Sequence, residues 1–258
     1  MARVIAVTNQ KGGVGKTTTC VNLAASLAAT RRRVLLVDMD PQGNATMGSG
    51  VDKNALELSG YDVLTKRASP AEVIVKTDAS GFDLLPANGD LTAAEVELMN
   101  EIGREHRLRL ALNSVRENYD YILIDCPPSL NLLTVNSLSA ADSVLIPMQC
   151  EYYALEGLAA LMNTVEQIKE TVNPNLEIEG ILRTMYDPRN SLTLDVSGQL
   201  SEYFGEKVYR AVIPRNVRLA EAPSYGMPAL AYDKTSKGAV GLQFGDGVYE
   251  VIRVYRGD

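Results

Sequence analysis

The sequence contains little of what histidine- and thiol-based catalysis requires. Among its 258 residues are one histidine, His106, no tryptophan, and three cysteines, Cys20, Cys126 and Cys150. A single histidine argues against Ser-His-Asp catalysis and against multi-histidine metal sites. His106 lies in a charged stretch with helical apolar spacing, so we expect it to be a solvent-facing helix residue. The cysteines lack paired spacing, which favours reduced thiols over a disulfide framework.

Long hydrophobic runs are also missing. No apolar stretch approaches the roughly 20 residues that a membrane-spanning helix needs. The first ten residues lead directly into a strand pattern without the layout of a signal peptide. A net charge of −7 argues against a nucleic-acid partner for the chain as a whole, but residues 181–220 contain six Lys or Arg against four Asp or Glu. We therefore expect a cytoplasmic protein with one locally basic region and no membrane partner.

Short β-branched runs alternate with helical patterns along most of the chain. The runs are nearly continuous in apolar character, as strands buried on both faces should be. They cover residues 3–8, 33–38, 121–125, 143–148, 178–186 and 208–214, and the helical patterns cover residues 17–30, 91–118, 132–141 and 153–172. This alternation predicts an α/β fold, a mostly parallel twisted sheet with helices on both faces that binds ligands at the carboxyl ends of its strands.

A glycine-containing loop, "NQKGGVGKTT", joins the first strand to the first helix. Successive backbone N–H groups and a helix N-terminus both face an anion in such a loop, so it predicts a phosphate-binding site. Lys16 would neutralise phosphate charge, and the Thr17 hydroxyl would ligate Mg²⁺. The strict pattern G-x-x-x-x-G-K-[ST] fails, because Gln10 stands where its first glycine belongs. An additional lysine, Lys11, precedes the glycines and is placed to point out of the loop.

This loop resembles the deviant Walker A motif of the ParA/MinD family of ATPases. The resemblance implies ATP and Mg²⁺ as cofactors and an ATP-dependent homodimer in which Lys11 reaches the nucleotide of the partner subunit. It assigns catalytic roles to Lys11 and Lys16. The residues that it places around ATP are Gly12, Gly13, Val14, Gly15, Lys16, Thr17 and Thr18.

Two further stretches resemble the switch and Walker B segments of the same family. "VLLVDMDPQGNAT" would place Asp38 near Mg²⁺ and Asp40 where it orients or deprotonates the attacking water. "YILIDCPPSL" would place the Asp125 carboxylate at the metal, held through water. Together with Thr17, Asp38 and Asp125 are therefore the predicted metal-site residues.

The stretches "QCEYYALEG" and "VIPRNVRLAEAPSYGMPALAYDKTSKGA" narrow the resemblance to the ParA/Soj-like partition branch. In that branch Pro214 and Asn216 would contact the adenine. The resemblance further implies non-specific DNA binding by the ATP-bound dimer, nucleoid association, and hydrolysis stimulated by a ParB-type centromere-binding partner. Arg189 and Arg218 occupy the matching positions for DNA binding. The additional candidates are Arg215, Lys234 and Lys237.

Two alternatives share the nucleotide residues. A MinD-like membrane-associated positioning ATPase would need a basic amphipathic C-terminal helix, which the glycine-interrupted tail does not provide. An iron–sulfur protein of the nitrogenase iron-protein type would need Cys126 or Cys150 to bridge a cluster between subunits.

The end of the chain departs from the family pattern. From Val240 onward the sequence reads "VGLQFGDGVYEVIRVYRGD", in which three glycines interrupt any helix. We therefore expect one ATPase domain over residues 1–239 and an atypical tail over residues 240–258.

Overall fold

Eight strands form one sheet in the order β3-β4-β2-β5-β1-β6-β7-β8 in a computed structural model that describes residues 1–237. All neighbouring strands are parallel except β3 and β4. Their bounds are β1 Arg3–Val7, β2 Val34–Asp38, β3 Val75–Lys76, β4 Asp83–Leu85, β5 Tyr121–Asp125, β6 Ser143–Gln149, β7 Glu177–Tyr186 and β8 Val208–Pro214. The expected domain boundary at residue 239 and the tail of residues 240–258 lie outside the described residues.

The described residues form eleven α-helices, of which nine lie between strands and two follow β8. They are α1 Lys16–Ala29, α2 Asn44–Gly48, α3 Gly60–Leu64, α4 Pro70–Val73, α5 Leu91–Glu97, α6 Arg107–Asn113, α7 Leu132–Ala140, α8 Ala154–Thr171, α9 Ser191–Phe204, α10 Val217–Glu221 and α11 Ala229–Tyr232. None of the helices in residues 1–237 combines the length and the apolar character needed to cross a membrane.

Successive residues of the central strands pack into two different cores. In β1, Val4 and Ala6 belong to one buried cluster, whereas Ile5 and Val7 belong to the other. The same alternation holds in β2 and β5, because neighbouring side chains of a strand point to opposite faces. The cluster around Ile5 contains the apolar side of α1, and the cluster around Val4 contains residues of α7 and α8. The prediction of a mostly parallel sheet covered by helices on both faces is confirmed.

The periodicity of the sequence did not reveal every element. The edge strand β3 and its neighbour β4 have two and three residues, too short for a recognisable alternation. The helix α9 was also missed, and it lies between two strands that were predicted. The single helical pattern over residues 91–118 proves to be two helices, α5 and α6, because Gly103 adopts a left-handed backbone with φ of 68° between them.

The expectation that His106 faces solvent from a helix is wrong. The residue ends a short 3₁₀ turn, is half-buried, and its Nδ1 lies 2.7 Å from the Ser139 Oγ of α7. The imidazole therefore connects the 3₁₀ turn with α7 through this hydrogen bond.

Candidate nucleotide site

The glycine loop lies where the strand order of the sheet reverses. β1 pairs with β5 on one side and β6 on the other, so the loops that follow these strands diverge above the C-terminal end of β1. Open α/β sheets bind their ligands in the crevice at such a point. The loop after β1 therefore occupies the position that favours a ligand site.

Glycine determines the path of this loop. Gly13 and Gly15 have φ of 75° and 87°, a left-handed conformation that residues with a Cβ rarely adopt. Gly15 is the N-cap of α1, and its carbonyl accepts a hydrogen bond of 2.8 Å from the Thr19 N–H. The first turn of α1 thus presents its N-terminal N–H groups toward the loop, as an anion site requires.

The two lysines of the loop have different surroundings. Lys16 is buried at the start of α1, and its Nζ donates to the Lys11 carbonyl over 3.3 Å. The Lys11 side chain is about half exposed and forms an ion pair with Glu151, which follows β6. The structure therefore separates an inner lysine over the loop from an outer lysine at its mouth.

Two buried carboxylates end neighbouring strands beside α1. Asp38 of β2 and Asp125 of β5 are paired residues in the sheet register. The Thr17 hydroxyl donates to Asp125 Oδ2 over 2.7 Å. Burial raises the pKa of both carboxyl groups, and the negative charges of Asp38 and Asp40 raise the pKa of Asp125 further. Two buried carboxylates so close together favour the binding of a cation, which offsets their negative charge.

The donor set at this position fits Mg²⁺. The Thr17 hydroxyl and the Asp125 carboxylate supply the oxygen ligands that this cation prefers, and they face the loop that holds the anion-binding N–H groups. The two oxygens of Asp38 already accept hydrogen bonds from Asp40 N–H, Thr46 N–H and the Thr46 hydroxyl. Asp38 is therefore better placed to orient the loop that carries Asp40 and to add negative charge.

Asp40 lies in the loop after β2 and is buried. Its Oδ1 accepts a hydrogen bond of 2.9 Å from the Gln42 N–H, which fixes the orientation of the carboxylate and leaves Oδ2 for another donor. Its charge also acts on Asp125. The structure thus places the Asp40 carboxylate close to the carboxylates of the predicted metal-site residues Asp38 and Asp125.

A cavity of about 180 Å³ joins the glycine loop to the end of β8. Pro214 and Asn216 line it together with Gly15 and Thr18. The Asn216 Oδ1 accepts the Arg218 N–H and caps α10, so its amide group is held in a fixed place. Residues about 200 positions apart are therefore neighbours, as a base-binding role for Pro214 and Asn216 requires.

Two threonines contribute to this site without having been recognised in the sequence. The Thr184 hydroxyl of β7 donates to the Val14 carbonyl over 2.7 Å and anchors the glycine loop to the neighbouring half of the sheet. The Thr46 hydroxyl donates to Asp38 and accepts the Ala87 N–H over 2.9 Å. No local motif marks Thr184, because Val14 lies 170 positions away. Thr46 ends the quoted stretch that contains Asp38, but its contact with Ala87, 41 positions away, has no local signal.

The candidate DNA-binding residues are exposed, but two of them already have acidic partners. The Arg189 side chain donates two hydrogen bonds to Asp187 and its backbone N–H donates a third, which together hold the pKa of that carboxyl at about 2. Arg218 pairs with Glu221 at 2.8 Å and with Asp233 at 3.4 Å. Arg215, Lys234 and Lys237 are exposed and form no ion pair within the part of the chain that the structure describes.

The environment of the cysteines disfavours a shared iron–sulfur cluster. Cys20, Cys126 and Cys150 are all buried free thiols. Burial raises the pKa of Cys126 to about 12, whereas a cluster ligand must be a thiolate. A packing role fits these side chains better.

Comparison with known proteins agrees with this geometry. The Soj protein of Bacillus subtilis, described as a sporulation initiation inhibitor, is 56% identical over 239 residues, which are 93% of this chain and 94% of Soj. The chromosome partitioning protein ParA of Caulobacter vibrioides is 53% identical over 239 residues, 92% of this chain and 90% of ParA.

A solved structure provides a further match. It is the crystal structure of cobyrinic acid a,c-diamide synthase from Mycobacterium smegmatis with a bound ATP analogue and magnesium. Its sequence is 38% identical to this chain, and the two structures match with a TM-score of 0.87 over 100% of this chain and 97% of the synthase chain. The family described as an AAA domain matches residues 2–178. With relatives more than half identical over nine-tenths of its length, the chain belongs to the Soj/ParA family of chromosome-partitioning ATPases.

Proposed function

We propose that this ATPase is a nucleotide-gated DNA switch for chromosome or plasmid partition. The observation that carries the proposal is the pair of lysines at one loop, with Lys16 buried over the loop and Lys11 at its exposed mouth. One lysine serves the nucleotide of its own subunit, and the other is placed to serve that of a second subunit. The relatives that are named for chromosome partitioning support the same conclusion.

The residues of the chain divide the work of ATP hydrolysis. The N–H groups of the glycine loop and Lys16 would bind the phosphates, and Pro214 and Asn216 would position the base. Thr17 and Asp125 would hold Mg²⁺, which neutralises phosphate charge when bound. Asp40 would orient the attacking water and accept its proton through Oδ2, because Oδ1 is engaged by the Gln42 N–H.

An ATP-bound homodimer is the proposed active form. Large apolar side chains are exposed beside the loop mouth, among them Leu130 after β5 and Tyr152 and Tyr153 after Glu151. Exposed apolar groups of this size favour burial against a partner surface. A second copy that meets this face would bring its ATP within reach of Lys11, so hydrolysis would remove part of the interface.

DNA binding is the proposed output of the dimer. Arg189 and Arg218 are the principal phosphate contacts, with Arg215, Lys234 and Lys237 in support. Two arginines in one subunit give weak binding, whereas a dimer doubles the number of contacts. Phosphate contacts carry no sequence information, so the binding is non-specific and leads to nucleoid association. A ParB-type partner bound at a centromere-like site would stimulate hydrolysis and release the dimer.

Co-sedimentation with DNA of arbitrary sequence tests this function. We expect wild-type protein to bind DNA with ATP and Mg²⁺ but not with ADP or without nucleotide. Lys16→Ala should lose both ATP binding and DNA binding, whereas Arg189→Ala should retain ATP binding and lose DNA affinity. A matched control is Arg109→Ala, which removes an exposed arginine of α6 away from the proposed surface.

The outcomes separate the proposal from its main rival. DNA binding that ignores the nucleotide state would contradict the switch. Absence of DNA binding, with ATP still bound and hydrolysed, would overturn the partition mechanism and direct attention to a membrane surface. Co-sedimentation with liposomes in ATP then tests the MinD-like alternative.

A further inference from the structure

The outer lysine of the loop is held by its own subunit. The Lys11 ammonium pairs with the Glu151 carboxylate, and the two side chains are 45% and 44% exposed. Glu151 lies between the end of β6 and the start of α8. The pair therefore connects the mouth of the nucleotide loop with the next part of the sheet.

The backbone around Lys11 is fixed by the same part of the molecule. Asn9 donates to the Pro147 carbonyl over 2.8 Å and accepts the Lys11 N–H over 3.0 Å. Gln10 donates to the Thr164 hydroxyl of α8 over 3.2 Å. The backbone before the glycines is thus anchored to β6 and α8, and the Lys11 side chain is the part that can exchange its partner.

We propose that Glu151 is a positioning residue that retains Lys11 on its own subunit and thereby opposes ATP-dependent dimerisation. This inference rests on the proposed dimer, in which Lys11 turns to the nucleotide of the partner subunit. One ammonium group cannot keep its close contact with Glu151 while it reaches across an interface. Each subunit therefore breaks its Lys11–Glu151 pair before the dimer is complete.

The size of the effect follows from exposure and symmetry. Breaking a half-exposed ion pair of this kind changes an equilibrium constant by about 1.4- to 5-fold. A symmetric dimer breaks the pair twice, so the two contributions multiply. Removing the carboxylate should therefore lower the dimer dissociation constant about 2- to 25-fold.

Glu151→Gln tests the inference, because it removes the charge and keeps the shape of the side chain. The matched control is Glu156→Gln, an exposed carboxylate of α8 that forms no ion pair with another described residue. Sedimentation velocity with a non-hydrolysable ATP analogue gives the dimer dissociation constant, and nucleotide affinity is measured separately on each protein.

We expect Glu151→Gln to dimerise more tightly than wild type while Glu156→Gln does not, with equal nucleotide affinity in all three. The difference should shrink at high salt, because an exposed ion pair is screened. A Glu151→Gln dimer that is no tighter than that of Glu156→Gln would overturn the role of Glu151 and leave the proposed function intact. Failure of wild type to dimerise with the analogue would instead overturn the proposed function itself.

Discussion

At the scale of single residues, the site concentrates negative charge where the bound nucleotide would add more. Asp38, Asp40 and Asp125 approach each other below the glycine loop, and two of them are completely buried. Such a cluster costs stability in the absence of a cation, because ionised carboxylates are poorly solvated in a protein interior. The arrangement of the site therefore favours metal-dependent chemistry and lowers the stability of the metal-free protein.

Asp125→Asn should stabilise the metal-free protein at neutral pH. The pKa of Asp125 is higher in the folded state than in the unfolded state. Above about pH 4 the unfolded state therefore loses this proton more readily, which lowers the free energy of unfolding. The penalty is absent below about pH 4 and grows as pH rises toward the raised folded-state pKa. Asparagine removes this penalty and still accepts the Thr17 hydroxyl.

Thermal unfolding in EDTA at several pH values checks this expectation. Each kcal/mol that the asparagine recovers should raise Tm by about 2–4 °C in a domain of this size. The gain should be largest at neutral and mildly alkaline pH, and Mg²⁺-dependent ATP hydrolysis should be lost. A lower Tm for Asp125→Asn at neutral pH would refute the argument.

Asp40→Asn should separate binding from hydrolysis. The amide oxygen still accepts the Gln42 N–H, so the loop keeps its shape, but the side chain can no longer accept a proton. We expect ATP turnover to fall about 10²- to 10⁴-fold, the usual contribution of a general base. Nucleotide affinity should stay within a few-fold of wild type, and a turnover near the wild-type value would exclude Asp40 as the base.

At the scale of secondary-structure elements, two glycines allow the loop after α2 to pack closely against the turn before α11. Gly50 and Gly226 have φ of 87° and 63°, and a Cβ on Gly226 would lie 2.8 Å from the Gly50 Cα. Since α2 follows Asp40 and the turn follows α10, this close approach connects the loop of Asp40 with the proposed DNA-binding region.

Gly226→Ala should destabilise the protein by about 1–3 kcal/mol, because alanine is strained at this φ and its Cβ meets backbone. Gly198→Ala in α9 is the opposite control. No heavy atom lies within 4 Å of its added Cβ, so it should stabilise by about 0.5–1 kcal/mol through helix propensity. Urea unfolding of both variants measures the free energy of unfolding, and equal effects would contradict this account of the contact.

At the scale of the whole molecule, the proposed DNA binding would use a small basic surface on an acidic chain. Arg189 and Arg218 would each exchange an intramolecular carboxylate for a DNA phosphate, so each residue alone would add little to the binding. The proposed dimer would present two copies of this surface to one duplex. In this proposal the nucleotide state would control DNA affinity through dimerisation, with the same arginines making the contacts in each subunit.

The salt dependence of DNA binding reports the number of these contacts. About four phosphate contacts in the dimer predict a roughly hundredfold loss of affinity between about 50 and 200 mM salt. Arg189→Ala removes two contacts from the dimer and should lower the slope of log K against log salt by about two. Arg109→Ala should leave the slope unchanged, and a wild-type slope near zero would argue against phosphate contacts.

Some of this protein was determined by the sequence alone. Six of the eight strands, the glycine loop with Lys16 and Thr17, and the carboxylates that end β2 and β5 were found because each is marked by a local pattern. Apolar continuity marks a buried strand, and glycine spacing marks a loop that needs left-handed backbone. These features depend on neighbours in the chain.

Other features were decided only by the tertiary structure. The attachment of Thr184 to the glycine loop and the ion pair of Lys11 with Glu151 join residues 170 and 140 positions apart. The half-buried state of His106 depends on α7, and the ion pair of Arg218 with Asp233 joins α10 to the end of α11. Such contacts exist because the sheet brings distant loops to one edge, and no local pattern records which side chains meet there.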